Sequence, residues 1–300
     1  MRKVHYNPGV HSLPGWRIKG ILGLAGVLAM AGVSEAQKAP PAASGARILL
    51  LPRKMVAGER ATLAVLDVNG RLTPGVQVVF SNGDKITTDT TGRALFVAPL
   101  NAGAIYASIE GRAGKVSGTI LSSAEVPSAT QEVTTAPRAA SLSDRFEVSG
   151  HGFCGEADAN KVSIAGMPGL VLASSPAYLA VLPPPELNPG PASVHLTCGQ
   201  RTSEAFTVVF VNLELEASSV PLAPGEHRSV AVRVRGSTAK LTLEARNLAP
   251  DVAELQGGVS VRAASSGGTD NVARFELVGK QYGNFVISIH LLAPAGPPRL

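Results

Sequence analysis

Apolar and polar residues alternate with a period of two through most of the chain beyond residue 45. Val76, Val78 and Phe80 fall on one face of such a run, with Gln77, Val79 and Ser81 on the other. Ile105, Ala107 and Ile109 alternate with Tyr106, Ser108 and Glu110, and Val230, Val232 and Val234 with Ala231, Arg233 and Arg235. Successive side chains of a strand point to opposite faces, so this period predicts strands with one buried face. One-sided strands belong to antiparallel sheets packed face to face. Asn69-Gly70, Asn82-Gly83 and Thr91-Gly92 separate the runs with residues that tolerate positive φ. No amphipathic helical stretch is present, although residues 250–255 could form a single turn. The expected class is all-β, with sandwiches in series.

One segment breaks the pattern. Residues 21–33 (ILGLAGVLAMAGV) are continuously apolar, follow a basic start that ends at Lys19, and precede Ser34-Glu35-Ala36. That order predicts a secretory signal peptide over 1–36, cleaved before Gln37. As a helix the apolar run spans about 20 Å, short of the roughly 30 Å hydrocarbon layer, so cleavage is favoured over anchoring. No cysteine follows the run to take a lipid, and no later stretch is long and apolar enough to span a membrane. The mature protein is therefore expected in the periplasm or outside the cell. The segment also alters the charge. The whole chain is +5, but without residues 1–36 it holds 23 basic and 21 acidic residues, which gives no case for nucleic acid as partner. Hydrophobic residues make up 45% of the chain, enough for buried cores and against general disorder. Charged residues at 16%, with 32 glycines and 22 prolines, suit short strands and turns rather than helical bundles.

Composition divides the rest. Residues 37–45 (QKAPPAASG) and 122–137 (SSAEVPSATQEVTTAP) are poor in large apolar residues and are expected as linkers, and 293–300 as a Pro-rich tail. Between them lie units at 46–121, 138–211 and 212–292. In the first, Asp67-Val68-Asn69-Gly70 is followed by Pro74-Gly75-Val76-Gln77-Val78-Val79-Phe80-Ser81 and then by Thr88-Asp89-Thr90-Thr91-Gly92-Arg93-Ala94. This order resembles the bacterial immunoglobulin-like domains of invasin-type surface proteins. A carboxypeptidase-regulatory or transthyretin-like sandwich is the alternative, since it uses a similar hairpin. In the second unit, Phe146-Glu147-Val148-Ser149-Gly150-His151-Gly152-Phe153, then residues 160–166 and Pro189-Gly190-Pro191-Ala192-Ser193-Val194, are similar to the IPT/TIG domain of cell-surface and exported proteins. Both resemblances imply tandem Ig-like β-sandwiches after an N-terminal signal peptide, and neither implies an active site. The third unit carries no family motif, but its Leu241/Leu243, Phe275/Leu277 and Phe285/Ile287/Ile289 alternation predicts another sandwich.

Few residues suggest chemistry. Gly150-His151-Gly152-Phe153-Cys154-Gly155 satisfies G-x-G-x-x-G, but a dinucleotide site needs the loop to open a helix, and strand pattern resumes at Val162. The glycines are read instead as a tight turn. The two cysteines sit as His151-x-x-Cys154 and His195-x-x-Cys198. Their spacing admits a zinc site, yet His195 and Cys198 point to opposite faces of one strand. An oxidising compartment favours a Cys154–Cys198 disulfide, with buried free thiols as the other alternative. His151, His195, His227 and His290 read as solvated surface residues. Asp67/Asn69 and Asn82/Asp84 could ligate calcium, though turn chemistry accounts for them. No cofactor, metal or catalytic motif is expected.

The expected function is non-enzymatic: a structural spacer or an adhesion and protein-interaction module, whose partner is a protein or a cell-envelope component. The alternative is a carbohydrate-binding or enzyme-accessory protein, which would need a cleft containing Tyr178 or an acidic cluster. A hydrolase with a dispersed Ser/His/Asp triad is a weaker rival. The sole tryptophan, Trp16, lies within the leader, so stacking platforms for sugars are few.

Overall fold

In a computed structural model of the chain, residues 2–5, 47–126, 130–217, 219–265, 271–292 and 295–298 are described. The apolar run at 21–33, the cleavage motif at 34–36 and the linker at 37–45 lie outside them. The regular structure of the described residues is almost all strand, with only two three-residue 3-10 turns besides. The class is all-β, as the alternation predicts.

Three hydrophobic cores succeed one another along the chain. The first is filled by Leu63, Val65, Val78, Phe80, Ile105 and Ile109 among others. One of its sheets holds Ile48–Leu50, Arg60–Leu66 and Arg93–Val97. The other holds Lys54–Val56, Lys115–Leu121, Gly103–Ile109, Gln77–Phe80 and Lys85–Thr87. The second core centres on Phe146, Val148, Ile164, Leu196 and Phe210. Its Phe146 and Phe210 rings meet edge to face, 5.6 Å apart. The third is built on Val232, Val234, Leu243, Phe275 and Ile287. The alternation seen in the sequence holds in detail: Val78 and Phe80 are buried while Gln77 and Val79 are half-buried, and Tyr106 faces outward between buried Ile105 and Ala107. The alternation predicts antiparallel pairing throughout, yet among the described strands Lys54–Val56 pairs in parallel with Lys115–Leu121, and Ala139–Ser141 with Phe206–Leu215.

The motif residues of the first unit make its turns. Asp67 Oδ1 accepts from the backbone N–H groups of Asn69 and Arg71, at 2.7 and 2.9 Å. Buried Thr88 accepts from the Val76 N–H and donates to the Thr73 carbonyl, each at 2.9 Å, pinning the hairpin to the strand before it. Asp89 Oδ1 takes both the hydroxyl and the N–H of Thr91 at 2.7 Å, and these bonds hold its carboxyl below the usual range against a small opposing effect of burial. Gly92 adopts φ +77° with its α-carbon pressed against the Leu72–Thr73 backbone, so no side chain fits there.

The expected boundaries shift where backbone pairing decides them. Within 122–137 the described residues, 122–126 and 130–137, are not an open linker. Ser122 caps a 3-10 turn at Ser123–Glu125 through a capping box, and Glu132–Pro137 is a strand paired with Phe146–His151. The boundary at 211/212 falls inside one ten-residue strand, Phe206–Leu215. Its first half pairs with residues 190–194 of the second sandwich and its last four residues with His227–Arg235 of the third. The Pro-rich end returns as well, since Ala295–Gly296 pairs with Ala136 and Pro137. The expected turn at 250–255 is a turn over 250–252 followed by the strand Ala253–Gln256. Within the expected leader, Arg2–His5 forms a strand beside Val286–Leu292.

Candidate functional site: the joints between the sandwiches

The residues that carry polar contacts of long sequence separation gather at two joints. At the first, between the first and second sandwiches, the Gly155 carbonyl accepts the Thr62 hydroxyl at 2.8 Å and the Ser174 hydroxyl at 2.7 Å. Thr62 Oγ1 accepts in turn from the Ala157 N–H at 3.2 Å. The Ser175 hydroxyl donates to the Lys54 carbonyl. Thr62, Ser174 and Ser175 are all buried, and Ser174 pairs with Thr62 across the joint, so the sheet of one sandwich meets that of the next. An apolar patch lies beside these bonds: Leu50, Ala64 and Leu66 from the first sandwich against Leu172, Ala173, Tyr178 and Ala180 from the second. Ion pairs rim it, joining Arg53 to Glu147 at 2.6 Å, Arg60 to Glu156 and Arg93 to Asp158.

The glycine-rich loop belongs to this joint. A Cβ at Gly150 would strike the Glu132 carbonyl, one at Gly152 the Thr130 carbonyl, and one at Gly155 the Arg60 carbonyl. The three glycines are where two backbones come too close for a side chain. The loop leads into the three-residue turn Ala157–Ala159, with no helix to hold a pyrophosphate. Cys154 and Cys198 are bonded to each other, Cα to Cα 5.6 Å, beside this loop. Asn160 anchors the loop from within, accepting from the Cys154 N–H and donating to the Cys154 and Glu156 carbonyls, each at 2.9 Å. A cavity of about 420 Å³ opens between the sandwiches here, lined by Arg60, Glu156, Phe153, Cys154, Pro176 and Arg201 among others.

The histidines are partly as expected. His195 is exposed beside Ser193, and His227 is exposed. His151 is drawn in, its two ring nitrogens 3.2 Å from the Thr130 carbonyl and from Glu132. His290 departs most from a solvated residue. Its Nδ1 lies 2.9 Å from Asp144 Oδ2 and its Nε2 3.1 Å from Ser288 Oγ, across the second joint, between the second and third sandwiches. A carboxylate only accepts, so Nδ1 carries a proton toward Asp144. Burial works to raise the Asp144 carboxyl, but the hydrogen bond from His290 and the Arg145 charge outweigh it and hold it below the usual range.

The connectivity is that of a Ser/His/Asp triad. Ser288, however, sits mid-strand at 1% exposure and does not line the neighbouring cavity of about 290 Å³, which holds Arg53, Asp144, Glu147, Glu244, Arg246 and His290. A substrate carbonyl has no approach to that hydroxyl in this arrangement. No local signal in the sequence marks this cluster, because Asp144 and His290 are 146 positions apart.

Other candidates resolve into structure. Tyr178, the residue a sugar cleft would need, is 3% exposed inside the first joint. Burial, reinforced by the Glu147 charge, pushes its phenol far above the ordinary range. Asn82 and Asp84 bond to each other, and Asp67 Oδ1 accepts from the amides of Asn69 and Arg71, so turn geometry accounts for both pairs. Among the described residues no group of three or more His, Cys, Asp or Glu converges, and no helix is long and apolar enough to cross a membrane.

No protein-family model matches the chain, and no curated protein matches it. Among solved structures, it is similar to SGBP-B from a mixed-linkage glucan utilization locus of Bacteroides ovatus, in complex with a mixed-linkage heptasaccharide. That match has 12% identity over 80% of this chain and 74% of that one, with a TM-score of 0.32. It is also similar to domains 1–6 of the surface layer protein SbsC, at 12% identity, 84% and 39% coverage and a TM-score of 0.19. A third is the extracellular region of plexin A4, at 8% identity, 84% and 33% coverage and a TM-score of 0.28. The likeness extends to a multi-domain, all-β architecture and no further.

Proposed function

We propose that this is an exported, non-enzymatic scaffold protein, whose sandwiches are locked in series as a stiff spacer that presents loops and sheet edges to a protein or cell-envelope partner. The first two sandwiches are read as bacterial immunoglobulin-like and IPT/TIG-like. The observation that carries the proposal is the first joint, where one backbone carbonyl, Gly155, is shared by buried hydroxyls from two sandwiches. Domains that move freely meet through wet, replaceable contacts, whereas a buried hydroxyl detached from its partner costs about 1–3 kcal/mol. The strand common to the second and third sandwiches acts in the same direction. Export rests on the apolar run and cleavage motif of residues 1–36, and a Cys154–Cys198 bond suits an oxidising compartment.

Small-angle scattering on the purified protein tests the mechanical part. A single rigid arrangement should fit the full curve, and a curve that requires an ensemble of interdomain angles would overturn the stiff-spacer reading. N-terminal sequencing of the exported protein tests the leader. A start at Gln37 is expected, and an intact Met1 on a membrane-bound product would overturn export by cleavage.

A further inference from the structure

The sheet Val286–Leu292, Thr242–Asn247, Ser260–Arg262 has one edge occupied in an unusual way. Arg2–His5 pairs antiparallel with that edge, Arg2 opposite Ile289 and His5 opposite Val286. The ladder shows which groups the edge offers. The Val286 carbonyl accepts from the Leu248 N–H on the inner side, at 2.9 Å. Backbone groups of an antiparallel strand alternate sides, so Ile287, Ile289 and Leu291 direct their N–H and C=O groups outward to the edge. Arg2 and Val4 are paired with Ile289 and Ile287, and Leu291 extends the open edge beyond the seated strand. Sheet edges are ordinarily guarded by lysine, proline, bulges or short length. Val-Ile-Ser-Ile-His-Leu-Leu has seven residues, no lysine, no proline and no formal charge with the histidine neutral.

We propose that the outer edge of Val286–Leu292 is a strand-acceptor site. In the processed protein it binds an extended, basic segment of a partner protein as an added antiparallel strand. The inference rests on the reading of residues 1–36 as a leader that is removed, which leaves the edge without its occupant. The chemistry of the partner is set by the strand seated there. Lys3 lies opposite Ser288, on the face of the strand that carries His290, whose ring holds the ionised Asp144 carboxylate. Backbone hydrogen bonds supply the pairing, and the acid favours a basic residue at that register.

The test uses a chain beginning at Gln37 and a synthetic peptide of residues 1–10 (MRKVHYNPGV) as probe, read by amide hydrogen exchange. The expected result is slowing of Ile287 and Ile289 exchange by about tenfold or more at saturating peptide. N-methylation of the peptide at Val4, whose N–H faces the acceptor, should abolish the effect, and N-methylation at Lys3, whose N–H faces away, should leave it. Replacing Arg2 and Lys3 of the peptide by glutamate should weaken binding by about tenfold. In the 1–300 chain the same two amides should exchange slowly, and Val4→Pro should release them without truncation. Unchanged exchange on adding peptide would overturn the proposal. So would a dimer of the Gln37 chain whose edge amides are already protected and stay so, which would make a second copy the occupant. Because the chain is made to start at Gln37, these outcomes decide the acceptor independently of the N-terminal sequencing that decides the leader.

Discussion

The two joints hold their sandwiches together by different means. At the first, two complete sandwiches meet through side chains. Thr62 and Ser174 converge on the Gly155 carbonyl, small apolar residues pack beside them, and ion pairs stand at the rim. At the second, the backbone itself is shared, because Phe206–Leu215 belongs to both sandwiches, and the main side-chain tie is the hydrogen-bonded Asp144–His290 pair. A side-chain joint depends on a few buried groups being satisfied together, so one substitution can loosen it. A shared-strand joint distributes its hold over ladder hydrogen bonds and tolerates loss of any one side chain. The first joint should therefore be the brittle one.

The largest test of that contrast is Cys198→Ser. The bond closes a separation of 44 residues, for which the chain-entropy model gives about 4 kcal/mol. Because Cys154 borders the Gly155 loop, calorimetry should show the second sandwich melting earlier and the first joint losing its protection from proteolysis, with the third sandwich little changed. Gly155→Ala comes next. Its Cβ would strike the Arg60 carbonyl, and forcing the backbones apart should cost about 1–3 kcal/mol, seen as a lower melting temperature and a scattering curve broadened at the first joint. An unchanged scattering curve would show that the joint does not depend on this close approach. Ser174→Ala removes one of two donors to a carbonyl that keeps the other, so about 1 kcal/mol is expected. Combined with Thr62→Val, the loss should exceed the sum of the single losses, because the carbonyl is then left unsatisfied.

Acid probes the second joint. The Asp144 carboxyl is depressed in the folded protein, so its contribution is present above the unfolded value of about 3.9 and is lost as pH falls through the lower, folded value. Stability of the third sandwich should fall below about pH 4 in the native protein and less steeply in Asp144→Asn. Equal slopes would mean that Asp144 contributes nothing. The smallest effect should come from the exposed Arg60–Glu156 pair, where Glu156→Gln is expected to cost under about 1 kcal/mol in thermal denaturation.

Much of the fold is legible in the sequence, and the reason differs by region. Val78, Phe80, Ile105, Val230 and Val234 show their burial because strand periodicity is a local property. The turns at Asp67 and Asp89 are equally local, since a side-chain oxygen captures amides two and four residues ahead. The joints are not legible. Thr62 and Ser174 look like ordinary polar strand residues, and nothing within a few positions marks either as buried. His290 alternates with apolar neighbours as a surface residue would, and becomes half-buried only because the second sandwich brings Asp144 to it. The composition at 122–137 misleads for a related reason: Glu132–Pro137 has little apolar content of its own and becomes a strand through a partner ladder.

By itself, the sequence determined the class of fold, the turns and the reason for each type of turn residue within them, because these depend on interactions within a few residues. It also carried the leader pattern, which is a matter of composition. Only the tertiary structure decided where one sandwich ends and the next begins, what the glycine-rich loop approaches, which polar residues are buried, and that Val286–Leu292 presents an edge another strand can occupy. Each of these depends on pairing between residues distant in the chain, and the free energy of such a contact belongs to both partners, so neither segment alone encodes it.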